Sequence, residues 1–156
     1  MRKFYTLAGI LSVSEEEKES IRQQALEGDP VACYKLAEIH LHLHECEDYV
    51  ASAQELLQKA SEGGVADADA TMAIMMFRGE IEPFDPVAAA KRLEKAINNR
   101  SDRGTAFQLR NLLYGRYGYE PNIDLVRQTL DQILSQGDDP YWCALMGDVL
   151  MAEGKI

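Results

Sequence analysis

Basic residues are scarce in this chain. Sixteen lysines and arginines stand against 26 aspartates and glutamates, a formal charge of −10. A nucleic-acid binder shows a basic footprint and an anionic membrane surface calls for the same, so neither is expected as a partner. A basic protein or peptide is the better match for this charge. Cysteines are few: Cys33, Cys46 and Cys143 are odd in number and lack paired spacing. They read as reduced thiols and not as a disulfide framework, which points to the cytoplasm. No apolar run approaches the roughly 18 residues of a membrane span. Alternating β pattern, low-complexity tracts and domain-dividing linkers are missing too. The opening MRKFYTLAGILSV has the basic end and short apolar run of a signal peptide, which keeps secretion or the periplasm as the alternative. It lacks a small-x-small cleavage site and runs straight into Glu15-Glu16-Glu17. The adopted reading makes residues 1–27 a segment and capping helix that cover one end of the core.

What the chain does contain is helical. Hydrophobic residues make up 46% of 156 positions, enough for a continuous core. Ser14 with Glu17 three residues on predicts a capping box, and Gly28 supplies a left-handed stop before Asp29 caps a helix that begins at Pro30. From Pro30 to about His44, Ala32, Leu36, Ile39 and Leu43 recur at i, i+4, i+7 and i+11, one apolar face of a helix. The next helix turns Ala53, Leu57 and Ala60 inward and stops at Gly63-Gly64.

These two helices then repeat. Ala32 and Leu36-Ala37 recur as Ala68 and Met72-Ala73, and Ala53, Leu57 and Ala60 as Ala89, Leu93 and Ala96. A third copy gives Leu109-Arg110 and then Val126, Leu130 and Ile133; a partial fourth gives Met146-Gly147 and reaches Ile156 without a second helix, as a terminal cap would. The series Ala37, Ala73, Arg110, Gly147 steps by 36, 37 and 37 residues. The linkers 79–85 and 115–124 both run from glycine through proline to an aspartate N-cap, Asp85 and Asp124. About eight helices in pairs follow, each pair with an apolar face that only a neighbouring pair covers.

Ala68, Met72, Ala73, Met76, Gly79, Asp85, Ala89, Leu93 and Ala96 match the spacing of a known pattern, roughly A-x-x-x-L-G-x-x-Y-x-x-G-x-G-x-x-x-D-x-x-x-A-x-x-x-L-x-x-A. The chain thus resembles the Sel-one-like repeat family, tetratricopeptide-like helical hairpins, over residues 28–156. Ile81 stands where the second loop glycine is usual, His40 where tyrosine is, and Arg110 where a small residue lets helices approach. The resemblance implies an all-α, right-handed α/α superhelix of about three and a half hairpins, continuous with the first segment. It also implies a concave face lined by the first helix of each hairpin. By helical position that face would take Tyr34, Glu38, Leu41 and His42, then Asp67, Ile74, Phe77 and Arg78, then Phe107, Asn111 and Tyr114, and last Tyr141, Asp148 and Met151. Aromatic and methionine side chains suit a partner surface. The competing reading folds part of this row against the N-terminal segment as core.

Chemistry has little to stand on. His40, His42 and His44 fall within five residues, followed by Cys46 and carboxylates. His40 and His44 share a helix face as two zinc ligands would, but His42 points away from it. The leading expectation is a packed His40 with His42 and His44 solvated; a metal site on His40, His44 and Cys46 is the alternative. Ser14 and Ser61 lack a histidine at useful spacing, and the glycine turns lack the lysine of a phosphate loop. No catalytic residue and no cofactor are expected. The sequence reads as a non-enzymatic scaffold or adaptor that binds a protein or peptide on its concave face, with an inhibitor or immunity protein plugging a toxin as the variant within that class.

Overall fold

A computed structural model describes residues 1–155. Those residues are all-helical: a 3-10 turn at Arg2–Tyr5, then α1 Leu7–Leu11, α2 Glu15–Leu26, α3 Pro30–Leu43, α4 Tyr49–Glu62, α5 Ala66–Phe77, α6 Pro86–Asn98, α7 Asp102–Tyr114, α8 Ile123–Leu134 and α9 Pro140–Ala152. None of these helices is long and apolar enough to cross a membrane. Side chains cap several of them. Ser14 Oγ accepts from Glu17 N–H at 3.0 Å, while the Glu17 carboxylate, expected to reach back to Ser14, instead accepts from Lys3 Nζ at 3.0 Å. An ammonium offers the carboxylate an opposite full charge as well as a hydrogen bond, which a backbone amide does not.

The pair Asp-Pro opens three helices in the same way. Asp29, Asp85 and Asp139 accept from the N–H two residues on, at 3.1, 2.9 and 3.0 Å, with Pro30, Pro86 and Pro140 first in the helix. The second linker differs from expectation. Asn122 caps α8 through Leu125 N–H at 3.1 Å, so Asp124 falls inside the first turn. There its carboxylate faces the positive helix end. Gly28 and Gly64, at φ +90° and +91°, make the left-handed exits from α2 and α4.

Residue contacts divide the chain into two compact units, Met1–Thr105 and the residues from Ala106 onward, with α7 crossing the divide. In the first unit α2 packs on α3, α3 on α4, α4 on α5 and α5 on α6, and the 3-10 turn and α1 both pack on α3. Its core joins Phe4, Ile10, Ile39, Leu57 and Met72. The expected inward residues Ala53, Leu57, Ala60, Ala68, Ala73, Ala89, Leu93 and Ala96 are all fully or nearly fully buried. Close approach explains Gly63: a Cβ there would stand 2.2 Å from Pro30 Cγ. In the second unit Leu109 and Leu113 of α7 join Val126, Leu130, Trp142, Leu145 and Val149.

Candidate functional site

The stripe that carries the polar chemistry of the first unit lies on α5. Asp67, Thr71, Ile74 and Arg78 follow at i, i+4, i+7 and i+11 on one helix face. Asp67, almost fully buried, accepts from Tyr5 Oη at 2.6 Å and from Ser101 Oγ at 2.6 Å. Ser101 Oγ in turn accepts from Gly104 N–H at 2.9 Å, capping α7. One carboxylate therefore ties the N-terminal turn, α5 and the start of α7 together.

One turn further along is Glu38 of α3, with no exposed surface. Its Oε1 accepts from Thr71 Oγ1 at 2.8 Å and its Oε2 from Arg103 Nη1 at 3.1 Å. His42 Nδ1 lies 3.7 Å from Oε2 and 2.9 Å from the Glu38 carbonyl oxygen. The Arg103 side chain is 15% exposed and lies over the Tyr5 ring, 5.3 Å from its centroid. Burial, the largest single influence, pulls the Arg103 pKa down, but Glu38 together with Tyr34 and Tyr5 outweighs it and leaves the group above its ordinary value. Arg103 stays protonated. Burial first, and then the Glu38 charge, hold the Tyr34 phenol well above its ordinary range. That hydroxyl sits near Thr71 and Arg103 without the geometry of a hydrogen bond to either, and Arg103 Nε is likewise buried and unpaired.

Above this network opens a cavity of about 350 Å³. Leu41, Val50, Ile74 and Met75 give it apolar wall; Glu38, Thr71 and Arg103 give it a polar one; Arg78 and Glu80 also line it. His44, in the left-handed region at φ 51°, stacks on Tyr49 at 4.1 Å, and both rings line the same space. Of the predicted binding residues, Glu38, Leu41, Ile74 and Arg78 meet here, with His42. Tyr34 lies in the core, fully buried, and Phe77 is half-buried against that core. In the second unit Phe107 is half-buried with its ring 5.7 Å from Tyr117, and Tyr141 stands edge-on to Trp142 at 4.9 Å. Tyr114 and Met151 are exposed, and Arg116 covers the Tyr114 ring at 4.8 Å. Asn111 is 1% exposed with neither amide atom paired.

The histidine cluster disperses. His40 is half-buried, its Nδ1 3.8 Å from Glu45 Oε2, and burial lowers its pKa despite that carboxylate. His44 faces Tyr49, and Cys46 Sγ lies 3.9 Å from Ser52 Oγ. Among the described residues no group of three or more histidines, cysteines and carboxylates is placed to hold a metal ion.

Sequence reasoning missed Thr71, Arg103, Val50, Met75 and Glu80 as cavity residues. Thr71 had a signal: it is a hydroxyl inside the apolar run of α5, in step with Asp67 and Ile74. Arg103 had none, since its contact with Glu38 spans 65 residues. No family model, no curated protein and no solved structure matches the chain.

Proposed function

We propose that the chain is a non-enzymatic binding module that holds a partner protein or peptide on the inner face of its helical hairpins, in the Sel-one-like manner its repeats suggest, with the pairs arranged as an α/α superhelix. One observation carries the reading: Glu38, Leu41, Ile74 and Arg78, chosen by repeat position alone, line a single cavity with α3 and α5 on its sides. An apolar anchor side chain of the partner enters against Leu41, Val50, Ile74 and Met75. Full burial of one such side chain contributes roughly 1.5–3 kcal/mol before ordering costs. Arg78 and Glu80, both exposed, set orientation through polar contacts made by the partner's flanking residues. What supports a non-enzymatic role is that Glu38, the buried carboxylate of the cavity, is held against Arg103 and Thr71 in the manner of a structural ion pair.

The test is capture. Immobilised chain retains a defined partner from its native lysate, and Arg78→Glu loses it while helical circular dichroism is unchanged. Equal retention by the variant would sink the reading.

A further inference from the structure

Two further cavities adjoin one another, one among α4, α5 and α6 and the other between the start of α4 and the loop 80–84. One, of about 420 Å³, has Met72, Met76 and Ile81 as apolar lining and Lys91, Arg92 and Lys95 of α6 along one side. The other, of about 500 Å³, is lined by Glu47, Asp48 and Glu80 and by Phe84, whose ring is 65% exposed. Gln54, Ile81 and Glu82 line both, so the two form one groove. Its ends carry opposite charge. Arg92 and Lys95 reach Asp69 at 3.4 and 3.3 Å, whereas Lys91 makes no ion pair among the described residues. A run of cations on one wall is unusual in a chain of charge −10, which elsewhere attracts basic partners without selecting their direction.

We propose that this groove docks a charge-polarised amphipathic segment of a partner protein. Its basic end meets Glu47, Asp48 and Glu80, its apolar side chains cover Met72, Met76 and Ile81, and its acidic end meets Lys91 and Lys95. Both chambers are of the size that buries ligand side chains. Opposed charge at the two ends fixes the direction of the bound segment, because the reversed segment sets like charges together at both ends. Val50 and Glu80 line both this groove and the inner-face cavity, so the two adjoin, and Lys91 and Glu47, which line only the groove, are the positions that tell them apart.

Fluorescein-labelled helical peptides about 14 residues long, roughly four turns, test this by fluorescence anisotropy at low ionic strength. All share one leucine stripe. Two are polarised, with glutamates first and lysines last or the reverse, and two are uniform, all-glutamate or all-lysine. One polarised isomer is expected to bind about tenfold more tightly than its reverse and than both uniform peptides. Lys91→Glu, at an exposed position, should move the preference to the all-lysine peptide, and Glu47→Lys should move it to the all-glutamate peptide. Three results overturn the proposal: tightest binding of the all-lysine peptide by the wild-type chain, binding of none of the four, or a dimer of the chain alone in sedimentation that Lys91→Glu dissolves.

Discussion

Glu38 lies in a place without solvent, where Thr71 and Arg103 hold both its oxygens, and the consequence is asymmetric. Removing one member leaves the other charge buried and unpaired, which in other proteins costs about 3–5 kcal/mol. Glu38→Gln is therefore expected to lose about 3 kcal/mol in urea unfolding, and a loss below about 1 kcal/mol would show that the pair does not hold the inner face together. His40 makes a pH prediction. Burial depresses its pKa from the ordinary 6.5 in the folded chain, so as pH falls the unfolded chain takes up the proton first. The stability this group contributes is whole above 6.5 and is lost as pH falls through the folded value. Denaturant midpoints should fall more steeply from about pH 7.5 to pH 5.5 in the wild type than in His40→Phe; identical slopes would remove His40 from the acid sensitivity.

At the scale of elements, Asp29, Asp85 and Asp139 do the same work before Pro30, Pro86 and Pro140. Asp85→Ala should cost about 1 kcal/mol, read by thermal unfolding, and a neutral result would mean that solvent caps α6 as well as the carboxylate does. Leu57→Ala, at a position without exposure, should cost about 2–5 kcal/mol. These boundaries and inward faces were legible because caps, glycine stops and 3.6-residue periodicity are local signals. The cavity lining was legible only toward the C-terminal ends of α3 and α5. Leu41, Ile74 and Arg78 line one cavity, whereas Tyr34 lies in the core and Asp67 meets the N-terminal turn. Tyr5 bonds Asp67, and the 3-10 turn and α1 pack on α3. Which part of a repeat face is covered is decided by chain more than 60 positions away, as the 62-residue span from Tyr5 to Asp67 shows. No local pattern encodes that. Asn122 displaced Asp124 as the α8 cap for a simpler reason: both residue types cap well, and spacing alone did not choose between them.

The whole molecule carries −10, and most of its ion pairs are at least partly exposed. Such pairs are worth about 0–1 kcal/mol each, while self-repulsion acts across the entire surface. Salt screens both over about 10 Å at 0.1 M. Raising sodium chloride from about 10 to 200 mM should therefore leave stability unchanged or raise it by less than about 1 kcal/mol; a clear fall would mean that exposed pairs outweigh repulsion. In the proposed function a partner's side chain enters the cavity of Leu41, Ile74 and Arg78. A benzophenone photo-crosslinker placed at position 49, where Tyr49 lines the cavity, with a control at exposed Gln128, reports this most closely when adducts are mapped by mass spectrometry. One adduct is expected from position 49, absent from position 128 and joined to a segment bearing an apolar side chain. No adduct, or the same adducts from both positions, would contradict it.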